Sequence, residues 1–461
     1  MERSTTAIMR HLALAAAIWL LCACAGSGEA ASAGDGGSAG VASAGGSAGS
    51  GNAGSGNAGR GNAGAGGSEA GAGGQSVGGG GAGGTAIGGS AGTAGAGGAG
   101  PTPPDWFDPQ PPLAVTPHDE WRYIPVEGAV CANGKQSGFF INFSHTSADV
   151  LIFLLGGGIC YDELSCAAHT APVKDGMGDD PFGWWMGNFE RTNGVFRRDN
   201  PNNPWKDASY VVLPHCTVDF HVANKESNYA STGKIQQRGY RNIQLAMNHV
   251  VPTFSDPHRD VTIAGFSAGG VGSVANYHQI ASAFELYGHL PPFLVDDAGP
   301  VQPRPFFSAN SNNAIFNGWQ LEDTIGTWCK TCKDKGVHEA LYWDHQLHPG
   351  LRSSVICAYA DAVVMSLYTL FDPANALKFS ITPIPTPPFT YSTMKPGLDA
   401  LRTWSEGFAT QGMHRNLLYN GGDRHGALTV GPIDEGFTPA IVPFLRAQLN
   451  RNDPLWYSPQ F

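Results

Sequence analysis

Five short runs of apolar residues are the feature that most constrains the fold of this chain. Residues 149–158 (DVLIFLLGGG) and 260–266 (DVTIAGF) show it most clearly, and residues 209–214, 292–300 and 416–423 are of the same kind. A strand with one face in water would alternate apolar and polar residues, whereas an unbroken apolar run suits a strand buried on both faces. The runs therefore predict strands that are covered on both sides.

Stretches of helical pattern separate these runs. Within residues 236–251, Ile243, Met247 and Val250 recur at helical spacing, and residues 268–284 and 439–450 are further candidate helices. Strands that alternate with helices predict an α/β fold with a mostly parallel sheet and helices on both faces. Ligands of such sheets bind outside the carboxyl ends of the strands, so functional residues are expected there.

The first hundred residues differ in composition from the rest. Of the 64 glycines in the 461-residue chain, 33 lie between Gly26 and Gly100. Loose repeats of Gly, Ala, Ser and Asn cannot bury a core, so residues 25–104 are predicted to form a disordered tether. Residues 105–461 are long enough for one large domain with a substantial core.

The N-terminus has the features of an export signal. Arg3 and Arg10 precede a short apolar run that ends in small residues, which predicts a signal peptide over residues 1–24. The stretch LCAC resembles a bacterial lipoprotein cleavage site, and lipid on Cys24 would tether the chain to a membrane surface. Cys22 is unusual at its position in such a site, so the alternatives are an outer-membrane lipoprotein and a secreted protein.

Seven cysteines follow Cys24, and in an exported protein they are expected to form disulfides. Because the number is odd, at least one must be free or pair outside the chain. The seven are Cys131, Cys160, Cys166, Cys216, Cys329, Cys332 and Cys357.

A C-x-x-C pair, Cys329 and Cys332, raises two alternatives to a disulfide. A zinc site needs two more ligands at suitable spacing, and the nearby candidates are only His338, His345, His348 and Cys357. A thioredoxin-like redox centre would follow a βαβ start, which is missing here. No metal or cofactor is expected. The net charge of −11 and the lack of any basic run also argue against a nucleic-acid partner.

One pentapeptide, Gly265 to Gly269, fits G-x-S-x-G between a predicted strand and a predicted helix. In this context the flanking glycines let the chain turn sharply and present Ser267 as an exposed nucleophile. The alternative is a structural turn that merely contains a serine. The strand before the motif and the helix after it favour the nucleophile.

A serine hydroxyl needs a base, and the base needs a carboxylate that holds its tautomer. His425 is predicted to be the base because it follows a strand, whereas His414 precedes the same strand and would lie at its wrong end. Asp361, an isolated acid in apolar surroundings, is the favoured carboxylate. The alternative acids are Asp296 and Asp297, at the end of the strand that follows the serine.

Ester hydrolysis also needs backbone amides that stabilise the oxyanion. The amide of Ala268 follows the nucleophile, and the sequence LLGGGIC offers Gly157, Gly158 and Ile159 at a strand end. A glycine-rich phosphate loop is the alternative for this segment. It is rejected because no G-K-[ST] follows and no acidic ribose partner is evident.

Several motifs together resemble the pectin acetylesterase family, which includes the Notum-type carboxylesterases. The motifs are LIFLLGGGICYDELSC, LPHCTVDFHVAN, IQQRGYRNIQLAM, AGFSAGGVGS and DDAGP, and the resemblance covers nearly all of residues 120–450. It implies an α/β-hydrolase-like esterase domain in residues 105–461, without a metal. Its implied triad is Ser267, Asp361 and His425.

The resemblance also implies oxyanion amides at Gly158, Ile159 and Ala268, and a disulfide between Cys160 and Cys166. Ile159 stands where the family often has an aromatic residue. The expected activity is that of an exported serine carboxylesterase which releases acetyl groups from a polysaccharide such as pectin. The alternatives are a deacylase of longer fatty acyl esters, a surface-displayed binding protein on a hydrolase scaffold and, more remotely, a metalloenzyme.

Overall fold

The structure is a computed structural model of the chain. The predicted signal peptide, residues 1–24, and nearly all of the predicted tether, residues 25–104, lie outside the residues that it describes. The described residues are 102–187, 194–371, 390–409, 413–428 and 438–457.

An eight-stranded sheet forms the centre of the domain, and a separate hairpin lies outside it. The strands are β1 (Trp121–Val130), β2 (Gln136–Asn142), β3 (Val150–Leu154), β4 (Ser209–Leu213), β5 (Lys225–Tyr229), β6 (Gly233–Gln237), β7 (Val261–Phe266), β8 (Phe293–Asp297), β9 (Ser353–Ala358) and β10 (His414–Tyr419). The order in the sheet is β1-β2-β4-β3-β7-β8-β9-β10, and β5 pairs with β6.

Six neighbouring strands of this sheet, from β4 to β10, are parallel. Only β1 and β2, at one edge, pair in antiparallel fashion. The five predicted strands are β3, β4, β7, β8 and β10, so the prediction of a mostly parallel sheet is confirmed. Parallel strands end at the same edge of the sheet, which brings the ends of β3, β7, β8, β9 and β10 together.

Helices connect the strands and cover the sheet. They are α1 (Glu163–Ala168), α2 (Thr170–Asp175), α3 (Pro181–Trp185), α4 (Gly239–Thr253), α5 (Ala268–Glu285), α6 (Ala309–Gly318), α7 (Cys332–Lys335), α8 (Glu339–Leu347), α9 (Ala362–Phe371), α10 (Tyr391–Phe408) and α11 (Thr438–Leu449). Short 3₁₀ turns lie at Gly194–Phe196, Leu321–Asp323, Ile325–Thr327 and Pro454–Tyr457.

Strand β3 shows why the apolar runs are unbroken. Its alternate residues Ile152 and Leu154 pack in a cluster that contains α4 and α5 side chains. Leu151 and Phe153 point the other way and pack in a cluster with Phe444 of α11. Alternate residues of β3 thus pack in two different cores, one on each face of the sheet. Because helices cover both faces, every position of the strand is apolar.

Disulfides join three pairs of the cysteines. The pair Cys160–Cys166, implied by the family resemblance, is confirmed. Cys131 is joined to Cys216, and Cys329 to Cys332, which leaves neither thiol of the C-x-x-C pair available to bind zinc. Cys357 is a free, buried thiol.

The described residues contain neither a membrane-spanning helix nor a metal-binding cluster. No helix in the described ranges is long and apolar enough to cross a membrane. Nor do these ranges contain a group of three or more His, Cys, Asp or Glu side chains that is arranged to hold a metal ion.

Candidate active site

The site is built around Ser267, in the sharp turn between β7 and α5. Its backbone has φ 58° and ψ −120°, a conformation that residues with a side chain rarely adopt. Ser267 is 6% exposed. Strain of this kind is what a strand–serine–helix turn requires to lift the hydroxyl above the sheet.

The glycines on either side of Ser267 are required by close packing. A Cβ atom on Gly265 would lie 1.9 Å from the carbonyl oxygen of Gly269. A Cβ atom on Gly269 would lie 2.0 Å from the carbonyl oxygen of Leu154, at the end of β3. We call residues Gly265–Gly269 the elbow. A larger residue at either glycine would push the elbow away from the neighbouring strand.

An acid and an imidazole meet at the same edge of the sheet. Nδ1 of His425 lies 3.0 Å from Oδ1 and 2.9 Å from Oδ2 of Asp361. Asp361 is fully buried and His425 is 9% exposed. Since a carboxylate only accepts, Nδ1–H donates to Asp361, and Nε2 of His425 is left free to accept a proton.

Asp361 is held in place by the helix that follows it. Its Oδ1 atom accepts hydrogen bonds from the backbone amides of Val363 at 3.0 Å and Val364 at 2.9 Å, in the first turn of α9. These two amides fix the position of the carboxylate at the N-terminus of the helix. The acid is therefore oriented towards His425.

Asp297, the alternative acid, has a different set of partners. Its oxygens accept from the backbone amides of Ala427, at 2.9 Å, and Leu428, at 2.7 Å. Burial raises the pKa of Asp297 to about 6, against the opposing effect of these amides. Asp297 thus braces the loop that carries His425 and does not bond its ring.

His414, the alternative base, lies at the opposite end of the sheet. It is the first residue of β10 and pairs with Ser353, the first residue of β9. Its Nδ1 atom shares a hydrogen bond of 2.7 Å with the Ser353 hydroxyl. The structure therefore brings His425 to the serine edge and places His414 at the opposite one.

His425 reaches the elbow through Phe266, the residue before the serine. The two rings lie 4.8 Å apart between centroids. A Cβ on Gly426 would come within 2.2 Å of Phe266, so the loop rests directly on that ring. Among the described residues, the Ser267 hydroxyl makes no hydrogen bond, and in enzymes without substrate the bond to the base is often long.

The glycine-rich loop after β3 lies against the elbow. A Cβ on Gly156 would be 2.7 Å from the Phe266 carbonyl oxygen and 2.9 Å from Cβ of Ser267. Within the described part of the chain, the amides of Gly158, Ile159 and Ala268 donate to no acceptor. Amides without an acceptor can stabilise negative charge that develops on a substrate oxygen, so these three remain candidates for that role.

Two histidines that the sequence interpretation did not single out support this loop. A Cβ on Gly157 would lie 2.6 Å from Nδ1 of His215, and one on Gly158 would lie 2.5 Å from Cδ2 of His169. Nε2 of His215 accepts from the Phe220 amide at 2.8 Å. Burial lowers the pKa of both histidines, so they are neutral supports. The sequence has no local motif that identifies these two histidines, because only the tertiary fold places them under the loop.

An apolar cavity opens from the serine. It measures about 70 Å³, and Ser267 and Ala268 lie in its wall. A water needs about 10–15 Å³ of such space, so the cavity holds several non-hydrogen atoms. Nearly all the other lining side chains are apolar, among them Phe220, Phe307, Trp319, Val364 and Phe371.

Comparison with known proteins gives one matching family model and several relatives. Residues 123–323 match the model of the family described as Pectinacetylesterase, a segment that contains Ser267 and ends before Asp361 and His425. The relative named palmitoleoyl-protein carboxylesterase notum2, of Xenopus laevis, is 27% identical over 158 residues, which are 34% of this chain and 31% of the relative. The palmitoleoyl-protein carboxylesterase NOTUM of Drosophila melanogaster is 24% identical over 235 residues, 48% of this chain and 34% of the relative.

These alignments span about a third of the relatives' own length. A further relative, from Danio rerio, carries the name inactive palmitoleoyl-protein carboxylesterase notum1b, at 24% identity over 120 residues, 26% of this chain and 79% of the relative. Likeness alone therefore does not establish catalysis, which depends on the side chains of the site.

Crystal structures extend the likeness to the fold. The Wnt deacylase Notum from Drosophila, at 1.9 Å, superimposes with a TM-score of 0.51 and 17% identity, over 71% of this chain and 91% of the other. This similarity covers a larger share of the chain than residues 123–323 do. The family model and the relatives therefore support a place for this chain in the family of pectin acetylesterases and Notum-type carboxylesterases, and the crystal structure supports the fold.

Proposed function

We propose that this protein is a serine carboxylesterase with Ser267 as nucleophile, His425 as base and Asp361 as the supporting acid. The observation that carries the proposal is the pair of contacts from both Asp361 oxygens to Nδ1 of His425, at 3.0 and 2.9 Å. The imidazole so held packs on Phe266, one residue before the strained serine. A binding protein on the same scaffold would not need this arrangement.

The reaction follows from the chemistry of these groups. Nε2 of His425 takes the hydroxyl proton while Oγ of Ser267 attacks the ester carbonyl carbon. The amides of Gly158, Ile159 and Ala268 hold the oxyanion of the tetrahedral intermediate. The intermediate then expels the alcohol, which takes the proton from His425. Water attacks the acyl-enzyme in the same way, releases the acid and restores the serine.

The test is hydrolysis of p-nitrophenyl acetate and butyrate by the purified protein. Ser267→Ala and His425→Ala are each expected to lower kcat by at least about 10³-fold, since the nucleophile and its base act as a unit. His414→Ala is the matched control, because that histidine lies at the other end of the sheet. Undiminished turnover by Ser267→Ala refutes the proposal.

The cavity supports an acyl chain of several carbons over a bare acetyl group. An acetyl group, with three non-hydrogen atoms, would leave about half of the roughly 70 Å³ of apolar space unfilled. Each buried methylene contributes about 0.8 kcal/mol, so chain length should strongly affect binding. This favours the deacylase alternative over release of acetyl groups from pectin. A series of p-nitrophenyl esters from acetyl to palmitoyl distinguishes them, and a maximum at acetyl would contradict our preference.

Export is the second part of the proposal. Three disulfides are typical of proteins that fold in an oxidising compartment. We propose that the chain is exported and that Cys24 carries the lipid. Metabolic labelling with an alkyne fatty acid tests this, with Cys24→Ser as the control. A wild-type protein without label would leave plain secretion as the route.

A further inference from the structure

Asp296 is a buried carboxyl that the proposed mechanism does not use. It lies in β8, one residue before Asp297, and it lines the apolar cavity together with Ser267. Asp296 is only 2% exposed. A carboxyl in the wall of an apolar cavity is costly to bury and needs an explanation.

The structure accounts for one of the two oxygens of this carboxyl. Oδ1 accepts a hydrogen bond of 2.9 Å from the backbone amide of Gly299. Within the described residues, no donor or acceptor bonds Oδ2. A role in bracing the turn at Gly299 needs one oxygen only, so Oδ2 is left without a partner in a residue that lines the cavity.

Backbone packing fixes the position of the carboxyl. A Cβ on Gly299 would lie 2.6 Å from the carbonyl oxygen of Ser267 and 2.7 Å from Oδ1 of Asp296. A Cβ on Gly270 would lie 2.2 Å from the same Oδ1 atom. The carboxyl thus lies a few ångströms from the backbone of the serine, where the first carbons of an acyl chain would pass.

The protonation state of Asp296 suits a hydrogen-bond donor. Burial raises its pKa to about 8, with a smaller effect in the same direction from Asp297 and an opposing one from the Gly299 amide. At neutral pH the group is therefore mainly a carboxylic acid. Its O–H can donate to an oxygen of the substrate, and its carbonyl oxygen can accept.

We propose that Asp296 determines specificity by hydrogen bonding to an oxygen substituent on the second or third carbon of the acyl chain. The preferred substrates are then esters of hydroxy acids, such as 3-hydroxyacyl esters, not esters of plain fatty acids. This inference rests on the proposed function, because it assigns the cavity beside Ser267 to the acyl group.

A comparison of two matched substrates tests it. We would measure kcat/KM for p-nitrophenyl butyrate and for both enantiomers of p-nitrophenyl 3-hydroxybutyrate, each divided by its rate of hydroxide-catalysed hydrolysis. The wild-type protein is expected to favour one hydroxy enantiomer by about tenfold, the effect of one hydrogen bond in a buried site.

Two variants of Asp296 separate its polar role from its shape. Asp296→Asn keeps an acceptor for Gly299 and an N–H for the cavity, so most of the preference should remain. Asp296→Leu has similar size without polar atoms, and we expect the ratio to fall to about one. Thermal unfolding of each variant checks that the fold is kept.

Asp344 provides the matched control. It lies in α8 outside the cavity wall and is fully buried, and neither of its carboxylate oxygens has a partner in the described structure. Asp344→Asn should leave the substrate ratio as in the wild type. A comparable change in Asp344→Asn would assign the effect to general repacking and overturn the inference.

The outcomes distinguish failure of the inference from failure of the proposed function. If both esters are hydrolysed in a Ser267-dependent way but with a ratio near one, only the role of Asp296 is wrong. If the wild type hydrolyses neither ester, or if Ser267→Ala hydrolyses them equally well, the proposed function fails and the inference fails with it.

Discussion

Asp361 lies with both carboxylate oxygens close to Nδ1 of His425, at 3.0 and 2.9 Å. The second acid near the site, Asp297, instead bonds the backbone of the same loop at Ala427 and Leu428. One carboxylate thus orients the ring and the other holds the chain that carries it. This division of roles gives each acid its own expected effect on catalysis.

Replacing Asp361 should remove most of the esterase activity. We expect Asp361→Asn to lower kcat by about 10³- to 10⁴-fold with little change in KM, because an amide can hold the wrong tautomer of His425. Steady-state hydrolysis of p-nitrophenyl butyrate measures this. Asp297→Asn serves as the comparison, and its main effect should be a lower melting temperature. The reverse order of the two effects on kcat would make Asp297 the triad acid.

The elbow glycine Gly269 should not tolerate a methyl group. A Cβ there would lie 2.0 Å from the Leu154 carbonyl oxygen, so Gly269→Ala must displace the elbow or β3. We expect a loss of at least about 2 kcal/mol in the free energy of unfolding, together with a large loss of activity. Chemical denaturation and ester hydrolysis measure the two effects.

Gly407 offers a control for that substitution. It lies in α10, and nothing is found within 4 Å of a Cβ placed on it. Gly407→Ala should therefore stabilise the protein by about 0.5–1 kcal/mol through helix propensity and leave activity unchanged. If Gly269→Ala behaved like Gly407→Ala, our inference that Gly269 is closely packed would be wrong.

The sequence predicts the parts of this fold that depend on local pattern. Strand β3 is recognisable because both its faces enter a core, and the turn at Ser267 because its glycines lie between a strand and a helix. Edge strands β1 and β2 were not predicted, since their antiparallel pairing leaves β1 partly exposed and without an unbroken apolar run. Strand β9 was also missed, because serines occupy its first two positions.

The site could be predicted only in part. Ser267 has a local motif, whereas the contact of the His425 ring with Asp361, and not with Asp297, depends on tertiary structure that no local pattern encodes. The cavity is likewise invisible in the sequence. Its walls come from segments more than a hundred residues apart, such as Phe220 and Phe371.

Stability should fall as the solution becomes acidic. Burial lowers the pKa of several histidines in the folded protein, while in the unfolded chain they titrate near 6.5. The unfolded state therefore binds more protons below pH 6.5, and stability is lost as pH falls towards the folded pKa values. These values are about 4 for His221, His278, His338 and His345, and about 3 for His414.

Buried carboxyls act in the opposite direction on the alkaline side. The pKa of Asp296 is raised to about 8 and that of Asp344 well above its usual value, both mainly by burial. The contribution of Asp296 falls as pH rises from its unfolded pKa of 3.8 to its folded pKa of about 8. Above about pH 6.5 the histidines no longer oppose this effect, so stability should decline from there to pH 8. Denaturant titrations at pH 5, 6.5 and 8 check this, and a maximum at either extreme would contradict it.

The most direct test of the account is covalent labelling of the serine. A fluorophosphonate probe should add once to the wild-type protein, and peptide mapping by mass spectrometry should place the adduct on Ser267. The adduct should be absent in Ser267→Ala and form much more slowly in His425→Ala, because the hydroxyl then lacks its base. Equal labelling of wild type and Ser267→Ala, or an adduct on another residue, would contradict the central claim that Ser267 is the nucleophile.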